Sequence, residues 1–569
     1  MLTRRCFLEV AAARAVATGL AGRLAGAAVR QRIGQEELLA FAPKGQLTIL
    51  HMADCHAQRV PLYYREPSLN LGVGAGRGKM PHITGSELLS ALAIPDGSAA
   101  AYMLSCADFE AMAKSYGRVG GMDRVATLVK AIVAERGNER VLVLDGGDAL
   151  QGSYTALLSR GADMLAVLRA LGVVATTGHW EFTLGAGRVL ELFGDLDRRS
   201  SEVAFLAGNV RDSDFNDPVF PSMRLFERGG VCVAVIGQAY PYTPIANPRW
   251  MIPRWSFGIR ERDLRASVAA ARARGAEAVV LLSHNGFDVD AALASRVDGI
   301  DIILTAHTHD ALPEVVRIGD TRLIASGSHG KFLSRLDIEV AGGRVKDVAY
   351  RLIPVLADAI TPDPAVARLI AGIRAPHEAM LASELAFTEG VLYRRGTFGG
   401  TLDDLICDAL LSERDAEIAL SPGFRWGGTL IGGEAVRWED VYNATAITYP
   451  AAYRTLMSGA AIKAMLEDVA DNLFNLDPYY QQGGDMVRVG GMGYTVNVDA
   501  AMGSRITSLY MLDSGAPIVP DKDYRVAGWG SVVEGVSGPA IWDVVAAHLR
   551  NRQLLSPSPR KSVKIVRAD

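Results

Sequence analysis

Cysteine is scarce in this 569-residue chain and follows no plan. Cys6, Cys55, Cys106, Cys232 and Cys407 fall at spacings that match neither a disulfide framework nor a zinc pattern, so a scaffold held by disulfides is excluded. Cys232, inside the apolar run Val231 to Ile236, reads as a buried small hydrophobe. No long block of basic charge exists and the net charge is −4, which removes any reason to expect nucleic acid. A long uninterrupted apolar run is also missing: Arg14 and Arg23 break the only amino-terminal candidate, which excludes a membrane anchor. The glycine-rich stretch Leu71 to Met80, LGVGAGRGKM, lacks the first glycine and the Ser or Thr of a phosphate loop and reads as a mobile surface loop. With 49% apolar and 21% charged residues the chain is globular, and its length calls for two domains.

What is present is a set of polar residues at the ends of apolar runs. Leu47 to Met52 leads to Asp54 and His56, and Val141 to Leu144 leads to Gly146, Gly147 and Asp148. Ala278 to Leu282 leads to His284, and Ile302 to Leu304 leads to His307 and His309. The stretch Thr176 to Thr183, TTGHWEFT, adds His179. Five of the ten histidines lie in these motifs. Short strand-like runs that each end in a ligand-type residue describe an α/β sheet site, which gathers at the carboxyl ends of strands.

These residue types suit a pair of divalent ions. A carboxylate between two ions, the role assigned to Asp148, bridges them, and ions about 3.5 to 4 Å apart clamp both sides of one displacement. Asp54, His56, Asp148 and His309 are assigned to one ion, and Asp148, His179, His284 and His307 to the other. Mixed imidazole and carboxylate ligands suit manganese, iron or zinc alike. Cys55 is expected to point away, because adjacent side chains on a strand face opposite sides.

The motifs resemble those of the SoxB thiosulfohydrolases of bacterial sulfur-oxidising (Sox) systems, a divergent branch of the 5'-nucleotidase superfamily of two-metal phosphoesterases. The resemblance rests on GHWEFT and on KSYGRVGGMDRVATLVKAI (114–132), SGSHGKFLSRLD from Ser326 and QQGGDMVRVGGMGY from Gln481. Nucleotidases carry Gly-Asn-His-Glu where this chain has Gly178, His179, Trp180 and Glu181, and an aspartate where it has Thr183. The resemblance implies a four-layer α/β-sandwich, metallophosphoesterase-like domain followed by a smaller α+β 5'-nucleotidase C-terminal-like domain. It also implies a dimanganese enzyme that removes a sulfonate from a cysteine on a flexible carboxyl-terminal arm of SoxY, in the SoxYZ carrier protein, releasing sulfate and leaving a persulfide. Trp180 is then a site residue in place of the nucleotidase histidine. The alternative is that Trp180 packs in the core and His329 supplies that histidine's function.

A physical argument points to the same substrate change. A sulfonate carries less charge than a phosphoryl group and a persulfide is a good leaving group, so a general acid matters less. An exported 5'-nucleotidase or phosphodiesterase remains the alternative enzyme. A binding protein that has lost catalysis has no physical need to keep seven metal ligands.

The amino terminus, Thr3-Arg4-Arg5-Cys6-Phe7-Leu8, resembles a twin-arginine export motif, with small residues from Ala25 to Ala28 suited to cleavage, so residues 1–28 are expected to direct the folded protein to the periplasm. The catalytic domain is expected over 46–354, a linker with a helical run from Ala365 to about Leu385 over 355–386, and the substrate-binding domain over 387–566. In the latter, SPGFRWGG (421–428) occupies the place of the nucleotidase arginine loop, and Arg425 is expected to hold the sulfonate or the carrier backbone. Asp403 and Asp404 break the nucleotidase pattern, which argues against nucleotide recognition. His56 and Asp148 lie 92 positions apart, so an insertion of several tens of residues sits beside the site, with Tyr63, Tyr64 and Arg65 as candidate channel residues.

Overall fold

The computed structural model describes residues 33–194 and 203–567, so the expected export signal lies outside the described residues. Two six-stranded sheets stack face to face. In the first, the strands run in the order Arg344–Pro354, Phe332–Ala341, Leu47–Met52, Val141–Asp145, Val173–Thr176 and Ala204–Phe205. In the second the order is Val316–Ile318, Thr321–Ala325, Ile302–Thr305, Ala278–Ser283, Val231–Gln238 and Met223–Arg228. Leu47–Met52, Val141–Asp145, Ala278–Ser283 and Ile302–Thr305 are buried at every residue. Burial on both faces is why they read as unbroken apolar runs rather than alternating ones.

One face of each sheet joins the central core, where Leu47, Ile49, Leu142 and Leu144 meet Val233, Val235, Val280, Leu282, Ile302 and Leu304. The opposite face of the first sheet packs on the helices Met122–Arg136, Ala162–Ala170 and Pro364–Arg374. That of the second packs on Glu261–Ala273 and Phe287–Arg296. The result is a four-layer sandwich. Leu47–Met52, Val141–Asp145 and Val173–Thr176 run parallel, as do Val231–Gln238, Ala278–Ser283 and Ile302–Thr305, so their carboxyl ends converge on one rim.

Beyond Glu384 the chain builds three small sheets and the helices Thr401–Glu413, Gly459–Phe474 and Ile541–Arg552. This smaller α+β unit sits on the rim of the sandwich. Tyr63 bridges to Thr429, the Thr397 N–H donates to the Leu69 carbonyl at 3.2 Å, and the Thr448 hydroxyl donates to the Thr183 carbonyl at 2.7 Å.

Several local expectations change. The helical run expected from Ala365 ends at Arg374, because Pro376 cannot continue it; a four-residue helix Glu378–Leu381 follows, then the strand Glu384–Thr388. The glycine-rich loop is tied in: Val73 is buried in the core of the smaller unit. Cys232 is only half-buried, since it flanks the hairpin turn at Gly229 and Gly230. The insertion after His56 carries three short helices, Gly85–Ala91, Ala99–Leu104 and Phe109–Tyr116, with their own apolar cluster. Tyr63, Tyr64 and Arg65 pack the seam between the units: the Arg65 guanidinium lies 4.1 Å from the Tyr393 ring centroid, and the Tyr64 ring packs tilted against His329 at 4.3 Å.

Candidate metal centre

Asp54, His56, Asp148, His179, His284, His307 and His309 all lie just past the strands whose carboxyl ends meet at the rim. They form two buried groups, Asp54–His56–Asp148–His309 and Asp148–His179–His284–His307, and within each group one ligand atom per residue lies within 4.8 Å of the others. Asp148 belongs to both. Its Oδ2 is 3.1 Å from His284 Nε2, 3.3 Å from His179 Nδ1 and 3.8 Å from His56 Nε2. Asp54 Oδ1 is 3.7 Å from His284 Nε2 and 3.8 Å from His309 Nε2.

The backbone that presents these side chains is unusual. Asp54, His56, Asp148, His307 and His309 all have positive φ, between 44° and 75°. Non-glycine residues adopt that region at a cost and keep it only where the surroundings over-determine it, which is common at functional sites. Asp54 and His56 therefore lie in a tight loop after the strand rather than on it. Cys55 does point away, into the core beneath the first sheet, but the loop and not strand alternation turns it there.

Hydrogen bonds behind the ring nitrogens fix which nitrogen faces inward. His284 Nδ1–H donates to the Gly146 carbonyl at 2.7 Å, and His307 Nε2–H to the Gln482 carbonyl at 2.9 Å. Gln151 donates its amide to the Ala446 carbonyl at 2.7 Å, so its oxygen accepts from His56 Nδ1–H at 3.3 Å. In each case the other nitrogen turns a lone pair into the cluster. His284 Nε2 thus faces the Asp148 carboxylate, lone pair against anion, and has no protein hydrogen-bond partner; neither has buried His179 Nε2. Only a cation between the groups reconciles them.

The titration behaviour agrees. Burial pushes His179, His307 and His309 below the usual imidazole range and His56 down to about 4. Burial also opposes charge on His284, yet the Asp148 and Asp54 carboxylates raise it to about 10. Burial works against ionised Asp148 as well, but His284 and His179 hold it well below the usual carboxylate range. A proton on His284 occupies the place that suits a metal ion. Imidazole nitrogens and carboxylate oxygens in two groups sharing one aspartate fit a pair of divalent ions.

Residues with no ligand role in the sequence patterns brace this centre. The Glu181 carboxylate is buried and accepts the N–H groups of Ala149 at 2.9 Å, His179 at 2.9 Å, Leu150 at 3.3 Å and Asp148 at 3.4 Å, locking two ligand loops together. Tyr240 stacks on His307 at 4.3 Å and packs tilted against His179 at 4.1 Å while its hydroxyl donates to the Gln482 carbonyl at 2.6 Å. Trp426 lies on His56 at 5.4 Å. Apart from the His179 N–H, two residues from Glu181, their partners are dozens to hundreds of residues away, so local spacing does not mark them; only the acid in GHWEFT hinted at a role.

Trp180 donates its backbone N–H to Asp148 Oδ1 at 2.7 Å, and its ring packs among Phe424, Trp426 and Tyr449 at 4.7 to 6.3 Å. Thr183 donates its hydroxyl to the Trp180 carbonyl at 2.7 Å. His329 does lie beside His56 and His309, at 5.7 and 5.8 Å between rings, but both its nitrogens are engaged. Its Nε2 accepts the Gly427 N–H at 3.2 Å, which leaves Nδ1–H to donate to Ser328 Oγ at 2.8 Å, and burial keeps it neutral.

Arg425 lies in the seam beside the loop that carries His307 and His309. Its Nε donates to Asp485 Oδ1 at 3.2 Å, one terminal nitrogen donates to the Thr308 carbonyl at 3.1 Å and the other to the Gly484 carbonyl. It clasps the loop between His307 and His309 to the smaller unit, and protein groups already engage each nitrogen of its fork. It lines an open pocket in the seam, with His82, Asp288 and Asp310. Asp403 is buried between Arg394 at 2.9 Å and Arg488 at 3.3 Å, a structural use of the carboxylate.

Known proteins resemble this chain in sequence and fold. Residues 385–546 match the 5'-nucleotidase C-terminal domain. A sulfate thiohydrolase SoxB from Thermus thermophilus, solved in complex with glycerol, is 38% identical and superposes with a TM-score of 0.88 over 92% of this chain and 98% of that one. A 5'-nucleotidase precursor, also from Thermus thermophilus, shares the fold at 19% identity, with a TM-score of 0.70 over 91% of this chain and 99% of its own. The 5'-nucleotidase of Bos taurus is 24% identical over 476 residues, 74% of this chain and 78% of the relative.

Proposed function

Because the chain belongs to the SoxB family within the 5'-nucleotidase superfamily of hydrolases, we propose that it is a thiosulfohydrolase: it hydrolyses the terminal sulfonate of a cysteine S-thiosulfonate on the SoxYZ carrier and releases sulfate. The observation that carries this reading is that, among the described residues, no histidine outside the two ligand groups offers a free ring nitrogen to the cluster. Trp180 and Thr183 stand where nucleotidases have histidine and aspartate, and the hydroxyl of Thr183 is spent on the backbone. The one spare histidine at the cluster, His329, has both nitrogens bonded. A leaving alkoxide would depart poorly from such a site, whereas a persulfide departs as a stable anion.

Asp54, His56, Asp148 and His309 would hold one ion, and Asp148, His179, His284 and His307 the other, with manganese the proposed metal. Two ions there would polarise the sulfonate and lower the pKa of the attacking water. The chain's own contribution is order and dryness. Glu181, Gln151 and the Gln482 carbonyl fix the ligand rings, and Trp180, Phe424 and Trp426 form an apolar wall that excludes bulk water. In the reaction the water oxygen bonds to the sulfonate sulfur. The sulfur–sulfur bond breaks with its electron pair on the persulfide, and two protons pass to solvent. Arg425 holds the loop between His307 and His309.

We place the enzyme in the periplasm, delivered folded by the twin-arginine motif; among the described residues no helix is long and apolar enough to cross a membrane. The test compares sulfate release from thiosulfonate-conjugated carrier with phosphate release from AMP by the same metal-loaded protein. Faster sulfate release is expected. Phosphate release matching or exceeding it would make the protein an exported nucleotidase.

A further inference from the structure

The wall against the ligand cluster contains a fully buried polar atom that no protein group satisfies. Trp426 is 1% exposed, and its indole Nε1–H is buried without a hydrogen-bond partner. Trp529, equally buried, donates its indole N–H to Ser421 Oγ at 2.8 Å. Leaving such a donor unpaired in a dry site is costly, and a phenylalanine would fill the same core without that cost.

Trp426 is held in place from every side. One face of its ring rests on His56 at 5.4 Å and 24°, it stacks on Phe424 at 4.3 Å and 23°, and Trp180 meets it edge-on at 4.7 Å and 74°. Its carbonyl accepts from Arg394 at 3.3 Å, and the next residue, Gly427, donates to His329. With its faces covered by His56 and Phe424, the ring offers only its edge to a further partner, and the N–H lies in that edge. His56 and Asp148 are as completely buried as Trp426, so its burial does not separate it from the site.

Resting on the sulfohydrolase reading, we propose that Trp426 contacts substrate: its indole N–H donates a hydrogen bond to a sulfonate oxygen of the substrate, and to sulfate as product. A neutral donor suits this place. It stabilises the oxyanion without adding a cation next to His56 and without supplying a proton that the leaving persulfide does not need.

The test uses inorganic sulfate as probe and the full metal-loaded protein. Calorimetry measures sulfate affinity for the wild type, for Trp426→Phe, and for protein carrying benzothienylalanine at 426, which keeps the bicyclic shape and loses only the N–H. Both changes are expected to weaken sulfate about tenfold or more, the usual worth of a hydrogen bond to a charged group, with metal content unchanged. If Trp426→Phe fails to fold, the benzothienylalanine protein decides alone. Sulfate affinity within about twofold of wild type, or no sulfate binding by the wild type, overturns the proposal. Failure of the sulfohydrolase reading is seen separately, as no sulfate release from the conjugated carrier by the unsubstituted enzyme.

Discussion

Asp148 is the single side chain shared by the two ligand groups, so its removal discriminates between one linked centre and two independent ones. Asp148→Ala should lose both ions and all activity, whereas His307→Ala should empty one site more than the other; metal analysis showing a full complement in either variant would contradict the assignment. Trp180→His should not make a nucleotidase. The new imidazole would find Thr183, whose hydroxyl is turned to the backbone, where a carboxylate is needed; AMP turnover overtaking sulfate release in this variant would show otherwise. Glu181→Ala strands four buried N–H groups, each worth about 1 kcal/mol or more, and a loss of several kcal/mol in denaturant unfolding of the apoprotein is expected. At this scale the ligands were legible because each follows a strand-like run within a few positions. Glu181, Gln151, Gln482 and Trp426 were not, because what they do depends on partners brought close only by folding. Arg425 was legible in residue type and motif position but not in its neighbours: Asp485, Thr308 and Gly484 each take one of its five N–H donors, and two are left over.

The loop Gln481 to Asp485 decides how close the smaller unit comes to the centre. Gly483 has φ +69°, and a Cβ there would lie 2.6 Å from His307 Nε2. Gly483→Ala should therefore displace His307 and lower occupancy of the ion it serves while sparing the other, a result that metal titration would show; full occupancy of both sites would mean the loop yields instead. A second element carries a pH signature away from the centre. Burial raises Asp440, which caps the helix Trp438–Thr445 by accepting the Arg437 N–H at 2.8 Å, to about 7. A carboxyl whose folded pKa lies above its unfolded one contributes stability that is present below pH about 4 and lost as pH rises through about 7. Asp440→Asn keeps an acceptor and removes the titration, so it should gain about 1 to 2 kcal/mol over wild type at pH 8 and nothing at pH 4, as read from denaturant midpoints. An identical gain at both pH values would show that charge is not the cause. Fully buried strands were the most legible elements, since apolar runs without alternation admit few other readings. Pro376 was the overlooked signal in the linker, and the glycine-rich loop misled because its one buried anchor, Val73, finds its core in the other unit.

In the whole molecule, the sandwich supplies the ligands and the smaller unit completes their surroundings. The Gln482, Ala446 and Thr308 carbonyls and Trp426 all bear on groups at or next to the ligands, and three of these four come from beyond Glu384. The two-unit architecture could be read from length and motif order, but not the seam, where residues hundreds of positions apart meet. The central claim is that the leaving sulfur departs without a protonated histidine. It is tested most directly by two carrier conjugates that differ only in the leaving group: a cysteine S-thiosulfonate, which leaves a persulfide, and a cysteine S-sulfonate, which leaves the more basic thiolate. The account predicts that kcat/KM for sulfate release falls by about 100-fold or more, roughly the contribution of a missing general acid, from the first conjugate to the second. Equal rates on both would contradict it, because they would require a group that protonates the leaving sulfur.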